Sequence, residues 1–345
     1  MSQLRWDPTL SEWVIYAPWR QDRTFLPPVT WCPLCPTRDE RFPTEVPFSS
    51  YEIVVFENRF PSLSLSAPTP DDAEAHLALD AHDTQEATLA GTRPGYGVCE
   101  VVLYTDEHTT TLAQLSEERI RQLIEVWADR YIELGGIPDV RYVFIFENKG
   151  EVIGVTLQHP HGQIYAYPFI PPRPARELAA ARAYADTHSG SCLHCAILAQ
   201  ELADGRRIVV RGDSFTTFVP YYAHYPYEVH IYANRCISSI AQLTAAEQRD
   251  LAVVLKQTLS AYDALWGFSL PYVMGIHQAP TIGEDHTGIA HLHFEFYPPH
   301  RTRDRLKYLA GSELGAGSFI VDVLPEAAAA TLREAAIRSR ERAPR

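Results

Sequence analysis

The chain of 345 residues lacks both long hydrophobic runs and an excess of basic residues. No apolar run reaches the roughly 18 residues of a membrane-spanning helix, and the first ten residues have no apolar core of signal-peptide type. We therefore predict no membrane association and a cytoplasmic location. Lysine and arginine number 30 against 43 acidic residues, which gives a formal net charge of −13. Because such a chain repels phosphate backbones, it is not expected to bind nucleic acids.

Cysteine is scarce, with six residues in the whole chain, yet four of the six are arranged in two C-x-x-C pairs. The first pair is Cys32 and Cys35, and the second is Cys192 and Cys195. In a reducing compartment, such pairs indicate metal ligands or redox motifs rather than structural disulfides.

The chain has two halves of similar layout, each with a C-x-x-C pair, extended segments, an amphipathic helix and a histidine-rich strand. We predict halves at 1–174 and 175–345, divided by the proline-rich segment from Pro168 to Pro174 and followed by a linking helix over 175–185. Strand runs with intervening helices predict an α+β fold whose largely antiparallel sheet is flanked by helices. The tail from Glu326 to Arg345 is expected to be an exposed helix or a frayed end.

The segment His159-Pro160-His161-Gly162-Gln163 is the sharpest sequence signal. Two histidines at positions i and i+2 of a strand point the same way. Gly162 lets a ligand approach the backbone closely. A histidine in such a setting can attack phosphorus and form a phosphoramidate. On these residues alone, a pair of core or solvated histidines is the alternative.

This segment resembles the active-site motif of the galactose-1-phosphate uridylyltransferases, a branch of the histidine-triad superfamily. The resemblance extends from about Trp13 to Glu313. It implies two histidine-triad-like halves, a homodimer, and transfer of UMP from UDP-glucose to galactose 1-phosphate, with glucose 1-phosphate and UDP-galactose as products. His161 matches the residue that attacks the α-phosphorus in a ping-pong reaction. Gln163 stands where the related hydrolases have a third histidine, and an amide is a poor proton donor, which protects the intermediate.

The resemblance also implies contacts between polar side chains and the substrate. The matching positions for nucleotide, phosphate and hexose contacts are Arg20, Arg23, Asn58, Asn148, Thr156, Lys307 and Glu313. Thr156 keeps a hydroxyl where the family has serine. Phe60 matches the uridine pocket, whereas Arg59 stands where some members have aspartate.

A first metal site is predicted from Cys32, Cys35, His108 and His159, because two thiolates and two imidazoles suit tetrahedral zinc. The family's zinc site has this pattern, and the matching positions are these four. The metal would be structural, tying the N-terminal segment to the strand that carries His161. A buried cysteine pair without metal is the alternative.

A second metal site follows from the repeat. Residues 103–115 align with residues 231–243 without a gap, which places Cys236 opposite His108, and the terminal motifs place His291 opposite His159. The predicted zinc ligands of this second site are therefore Cys192, Cys195, Cys236 and His291.

Some family members instead bind iron through a glutamate and three histidines, and the matching positions are Glu177, His277, His293 and Glu295. Glu295 replaces a histidine of the family pattern, which disfavours iron.

Two other functions remain open at this point. One is a dinucleoside polyphosphate phosphorylase, or a related nucleotidyltransferase with a different sugar-phosphate acceptor. Lys307 and Glu313 favour a hexose acceptor over that alternative. The other is a zinc-stabilised nucleotide-binding module without catalysis, which the presence of both His161 and Gln163 disfavours.

Overall fold

The computed structural model describes residues 2–23, 31–67, 89–283 and 285–342, except the side chains of Asp22, Arg23 and Arg342. Three sheets contain the strands of this part of the chain. The strands are β1 (Gln3–Asp7), β2 (Glu12–Tyr16), β3 (Val54–Glu57), β4 (Thr92–Pro94), β5 (Val98–Leu103), β6 (Tyr142–Lys149), β7 (His161–Tyr167), β8 (Ile208–Arg211), β9 (Phe215–Phe218), β10 (Val229–Ala233), β11 (Tyr272–His277), β12 (His293–Tyr297), β13 (His300–Thr302) and β14 (Arg305–Leu306).

The α-helices of the described residues are α1 (Glu117–Gly135), α2 (Pro172–Thr187), α3 (Leu193–Asp204), α4 (Ala245–Trp266) and α5 (Pro325–Arg342). The side chain of Ser116 accepts a hydrogen bond from the backbone N–H of Arg119, and Thr244 forms a capping box with Glu247. These caps satisfy backbone donors in the first turn, so both helices begin where the sequence predicts. Across the described part of the chain, no helix is long and apolar enough to cross a membrane.

Nine strands form one central sheet in the order β3-β5-β7-β6-β11-β12-β10-β9-β8, and every pairing in it is antiparallel. Outward from the β6–β11 pair, the order β6-β7-β5-β3 is matched by β11-β12-β10-β9. The internal repeat is therefore visible as two equivalent strand arrangements that meet at one pair of strands. This architecture confirms the predicted α+β fold with an antiparallel sheet.

Helices α1, α4 and α5 cover one face of the central sheet and share a hydrophobic core with it. Trp127 of α1 and Phe294 of β12 are fully buried in that core. Successive side chains of a strand point to opposite faces. Because Ile164 of β7 packs into this core, His161 and Gln163 of the same strand point to the opposite face.

Two expectations about the chain's connections need correction. Helix α2 begins at Pro172, so the end of the predicted proline-rich linker is already helical, as proline is tolerated in a first helical turn. The tail is not an exposed helix, because Ala328, Ala329 and Leu332 of α5 are buried in the main core. The boundary at residue 174 stays a prediction.

Candidate functional site

His161 is the first residue of β7, where it faces away from the helical core. Both histidines of the motif were expected on the strand, but His159 precedes it, because Pro160 has no N–H to donate to a sheet. The ring nitrogen Nδ1 of His161 lies 2.7 Å from the carbonyl oxygen of His159. A carbonyl only accepts, so Nδ1 carries the proton and Nε2 presents its lone pair. Burial lowers the pKa of His161, which keeps the ring neutral and nucleophilic.

His161 and Gln163 line a cavity of about 1010 Å³, which we call the His161 cavity. Asn58, Asn148 and Thr156, three of the residues predicted to contact substrate, line the same cavity. Its wall also includes three aromatic side chains, which offer stacking surfaces for a nucleobase: Trp31, Phe56 and Phe60. The cavity therefore brings together polar donors, aromatic rings and an imidazole with an available lone pair.

The rim of this cavity is fixed by local hydrogen bonds. The side-chain oxygen of Asn58 accepts a 2.9 Å bond from the backbone N–H of Phe60, which leaves the amide nitrogen of Asn58 available. Arg59, where the sequence departs from the family, pairs with Glu45 at 3.2 Å. Both residues line the cavity, and the Arg59 side chain is largely exposed.

Three other predicted substrate contacts, Arg20, Lys307 and Glu313, are not among the described residues that line the His161 cavity. The guanidinium of Arg20 donates a 3.3 Å hydrogen bond to the hydroxyl of Tyr165. The side chain of Arg23 lies outside the described residues. Lys307 and Glu313 form an ion pair of 3.1 Å.

A second cavity of about 580 Å³ also reaches His161 and includes Glu147 in its wall. The hydroxyls of Tyr104 and Tyr272 donate to the two carboxylate oxygens of Glu147 at 3.4 and 3.2 Å. Burial raises the pKa of Glu147 to about 7, although the nearby Lys149 acts in the opposite direction. Lys149 itself pairs with Asp263 at 3.0 Å. Sequence reasoning missed this group, because its members come together only through the sheet.

Gly162 is required for a different reason from the one expected. A Cβ atom at this position would lie 2.2 Å from the hydroxyl oxygen of Tyr104, well inside van der Waals contact. The backbone N–H of Tyr104 also donates to the carbonyl of Pro160 at 3.3 Å. Tyr104, not a ligand, therefore occupies the space beside Gly162 and packs against the strand at His161.

Cys32, Cys35, His108 and His159 form the first cluster of potential metal ligands, as predicted. The Sγ atom of Cys35 lies 3.4 Å from Nδ1 of His108 and 3.6 Å from Nδ1 of His159. Tetrahedral zinc with typical bond lengths has sulfur–nitrogen separations of about 3.6 Å. The Nε2 atom of His159 lies 2.8 Å from the carbonyl oxygen of Thr105, which leaves Nδ1 as the ligating atom. These four residues therefore fit a tetrahedral metal ion.

The second predicted cluster, Cys192, Cys195, Cys236 and His291, is also assembled. The Nδ1 atom of His291 lies 3.7 and 3.6 Å from the sulfur atoms of Cys192 and Cys195. The Nε2 atom of His291 lies 2.9 Å from the carbonyl oxygen of Ala233. This second cluster thus repeats both the donor spacing and the carbonyl contact of the first, and it too could hold a metal ion.

The third cluster consists of Glu177, His277, His293 and Glu295. The Nδ1 atom of His277 lies 2.7 Å from Glu177, and Nε2 of the same ring lies 3.4 Å from Glu295. Arg173 contacts both carboxylates, at 3.4 Å for Glu177 and 3.1 Å for Glu295. The four donors could hold a metal ion, but the guanidinium of Arg173 competes with a cation for the same oxygens.

Comparison with known proteins agrees with this arrangement along almost the whole chain. The family model for the N-terminal domain of galactose-1-phosphate uridyl transferase matches residues 1–171, and the model for the C-terminal domain matches residues 177–342. A galactose-1-phosphate uridylyltransferase of Thermotoga maritima is 39% identical over 334 residues, which cover 97% of this chain and 98% of that protein. One of Streptomyces lividans is 38% identical and covers 97% and 87%.

Solved structures give the same result for the fold. A structure described as a uridylyltransferase superposes with a TM-score of 0.83 at 34% identity, covering 98% of this chain and 99% of the other. An ADP-glucose phosphorylase from Arabidopsis thaliana with bound ADP-glucose gives a TM-score of 0.70 at 24% identity, covering 97% and 99%. The second similarity, at this identity, shows a shared fold alone.

Proposed function

We propose that this chain, which belongs to the galactose-1-phosphate uridylyltransferase family, transfers UMP from UDP-glucose to galactose 1-phosphate. The observation that carries the proposal is the ring of His161, whose Nδ1 proton is held by the His159 carbonyl while Nε2 faces a cavity suited to a nucleotide. The family relationship supplies the substrate class, and this geometry supplies the chemistry.

The reaction has two displacements at one phosphorus atom. In the first, Nε2 of His161 attacks the α-phosphorus of UDP-glucose, the bond to the bridging oxygen breaks, and glucose 1-phosphate leaves. The product is uridylyl-His161, whose imidazole is cationic while Nδ1 keeps its proton. The carbonyl of His159 stabilises that charge by accepting from Nδ1–H. In the second step, a phosphate oxygen of galactose 1-phosphate attacks phosphorus, and His161 leaves as a neutral ring.

The polar side chains of the cavity hold the transferred group. Asn148, Thr156 and Gln163 are donors to the phosphoryl oxygens, where negative charge develops during displacement. Asn58 and Phe60 hold the uridine, the first through its available amide nitrogen and the second through its ring face. Gln163 supplies a hydrogen bond without a transferable proton, which slows attack by water on the intermediate.

The acceptor site requires a second copy of the chain in this proposal. Lys307 and Glu313 match the family's hexose contacts, yet in one chain they line neither cavity that reaches His161. A homodimer in which each subunit supplies these residues to the other resolves that separation. We keep UDP-galactose as the product, and a cytoplasmic location remains part of the prediction.

Zinc is the metal we propose for the two cysteine-containing clusters, since thiolate and imidazole donors at tetrahedral spacing favour it over oxygen-preferring ions. When bound, it supplies structural stability, holding the segment with Cys32 and Cys35 against the residues that precede β7. For the third cluster, iron remains the disfavoured alternative, because Glu295 replaces a histidine and Arg173 already neutralises the carboxylates.

Incubation with UDP-glucose labelled in the uracil ring tests the function. A transferase releases glucose 1-phosphate without added acceptor, retains label on the protein, and then passes the label to galactose 1-phosphate. A phosphorylase would instead pass the label to inorganic phosphate. A binding module would retain intact UDP-glucose and release no glucose 1-phosphate, and that result would rule out the proposed reaction.

A further inference from the structure

We infer that Tyr165, with its hydroxyl fixed by Arg20, orients the side-chain amide of Gln163 so that the NH₂ group faces the phosphoryl group in the His161 cavity. Tyr165 is then a positioning residue for the transfer. The inference rests on the proposed function and assigns Arg20 a role different from the direct nucleotide contact that the family resemblance implies.

Three side chains are joined by hydrogen bonds on the face of the central sheet that is opposite the helical core. Nη1 of Arg20 lies 3.3 Å from the hydroxyl oxygen of Tyr165, and that hydroxyl lies 3.4 Å from Oε1 of Gln163. Tyr165 and Gln163 are two positions apart on β7, so both side chains point to the same face as His161. Tyr165 is 9% exposed, and its ring packs against Phe146 at a centroid distance of 5.0 Å. The tyrosine ring is thus fixed by packing, and its hydroxyl is held from two sides.

The direction in which these hydrogen bonds are donated follows from the chemistry of arginine. A guanidinium has only donors, so Arg20 must donate and the Tyr165 oxygen must accept. The single proton of Tyr165 is then free to be donated to Gln163, whose Oε1 accepts it. With Oε1 engaged, the two N–H donors of the amide are left for other partners. Because Arg20 already donates to the Tyr165 oxygen, the arrangement favours the orientation in which Gln163 accepts from Tyr165 through Oε1.

This orientation matters because a glutamine amide has two chemically opposite ends. With NH₂ toward the cavity, it donates to a phosphoryl oxygen as negative charge grows during displacement. With the amide reversed, a carbonyl oxygen would face that charge and repel it. A freely rotating amide would spend part of its time in the unfavourable orientation.

The other half of the molecule repeats the tyrosine contact at the equivalent positions, although the arginine there is placed differently. The hydroxyl of Tyr297 on β12 donates to Oε2 of Glu295, two residues earlier, as Tyr165 does to Gln163. An arginine is again present, since Arg173 lies over the Tyr297 ring at 4.8 Å and contacts Glu295 at 3.1 Å. The contact between Tyr165 and Gln163 is therefore a repeated feature of this strand geometry.

The test compares Tyr165→Phe with Tyr167→Phe. Tyr167 lies on the same strand face and packs through its ring against Tyr165 and Phe169, which makes it the matched control for removal of one hydroxyl. We expect Tyr165→Phe to lower kcat for uridylyl transfer about five- to tenfold, equivalent to about 1.0–1.4 kcal/mol. The KM for UDP-glucose should change little, because the lost contact acts on charge that develops in the transition state. Tyr167→Phe should remain within twofold of the wild type.

Repeating the Tyr165→Phe substitution in the Gln163→Ala variant distinguishes an effect on the orientation of Gln163 from a general structural effect. In Gln163→Ala there is no amide to orient, so adding Tyr165→Phe should cause no further loss in single-turnover labelling of the protein. Arg20→Lys keeps a donor and should retain most activity, whereas Arg20→Met should match Tyr165→Phe.

An unchanged kcat in Tyr165→Phe, or an equal loss in both backgrounds, would overturn the inference. If the wild-type protein itself releases no glucose 1-phosphate, the proposed function has failed instead.

Discussion

His161 and His293 each hold the Nδ1 proton against the carbonyl oxygen of the histidine two residues earlier, at 2.7 Å in both halves. Their Nε2 atoms meet different surroundings. That of His161 faces the cavity, whereas that of His293 lies 3.6 Å from Glu295 and 4.0 Å from Glu177. The same hydrogen bond to a backbone carbonyl therefore has different results in the two halves. It leaves the Nε2 lone pair of His161 facing a cavity, whereas it holds the ring of His293 in a buried position beside two carboxylates.

Replacing His161 by glycine should reduce uridylyl transfer by several orders of magnitude, because no other side chain of the motif can form the phosphoramidate. Steady-state turnover and retention of uracil label on the protein measure the effect. Glycine leaves a space that added imidazole can fill, so partial rescue by imidazole serves as the control for folding. Wild-type turnover in His161→Gly would eliminate the proposed nucleophile.

Replacing Gln163 by histidine should raise the release of UMP to water. An imidazole can pass a proton to or from an attacking water molecule, whereas an amide cannot. The measurement is UMP formed from UDP-glucose in the absence of any sugar-phosphate acceptor. Gln200→His, at an exposed position of α3 that lines neither cavity reaching His161, is the control. UMP release at the wild-type rate in Gln163→His would mean that Gln163 does not protect the intermediate.

The protein should contain close to two zinc ions per chain, and Cys236→Ser should remove about one of them, since a neutral hydroxyl is a poor zinc ligand. The melting temperature should fall more than the activity, because this cluster lies in the half without His161. Metal analysis of the purified protein gives the stoichiometry. Cys99→Ser is the matched control, because Cys99 belongs to none of the clusters of the described residues. One zinc per chain in both proteins would contradict the second site.

Iron recovered in place of the second zinc would point to the third cluster as its site. Its loss on substitution of His277 would then confirm that location.

The buried carboxyl of Glu147 should make stability depend on pH. Its pKa rises from 4.5 to about 7 on folding, mainly because of burial. The folded state therefore binds the proton more tightly, and the stabilisation present below about pH 4.5 is lost as the pH rises through 7. Glu147→Gln resembles the protonated form at every pH. The wild type therefore loses stability relative to this variant as the pH rises. The difference in free energy of unfolding, in favour of Glu147→Gln, should grow by up to about 3 kcal/mol between pH 5 and pH 8.

Urea denaturation of both proteins at several pH values measures that difference, because other titrating groups cancel in the comparison. Glu151→Gln, an exposed carboxylate close by on the chain, is the control. A difference between Glu147→Gln and the wild type that stays constant from pH 5 to pH 8 would contradict the prediction.

Sequence patterns predicted the fold class, the two capped helices and the two cysteine-containing clusters, whereas the positions of the third cluster came from the family resemblance alone. They succeeded where local spacing determines the outcome, as with the C-x-x-C pairs and the cap at Ser116. The repeat added long-range information, because aligning the halves placed Cys236 beside His291 without knowledge of the structure. The order of strands in the central sheet reflects the same repeat.

Other features depend on contacts that no local pattern encodes. Tyr104 and Glu147 are far apart in sequence and meet only when β5 and β6 flank β7. The link from Arg20 to Tyr165 spans 145 positions along the chain. Burial of the C-terminal helix also escaped prediction, because its alanine-rich face gives a weak amphipathic pattern that only packing against α4 reveals.

The pairing of β6 with β11 has a consequence for any attempt to produce the halves separately. Each half alone would end in an unpaired strand, and the exposed edges would include the segments 145–149 and 272–276 that pair with each other in the intact chain. Open edges of this kind recruit strands from other molecules. The isolated halves should accordingly associate with each other when mixed and aggregate when kept apart.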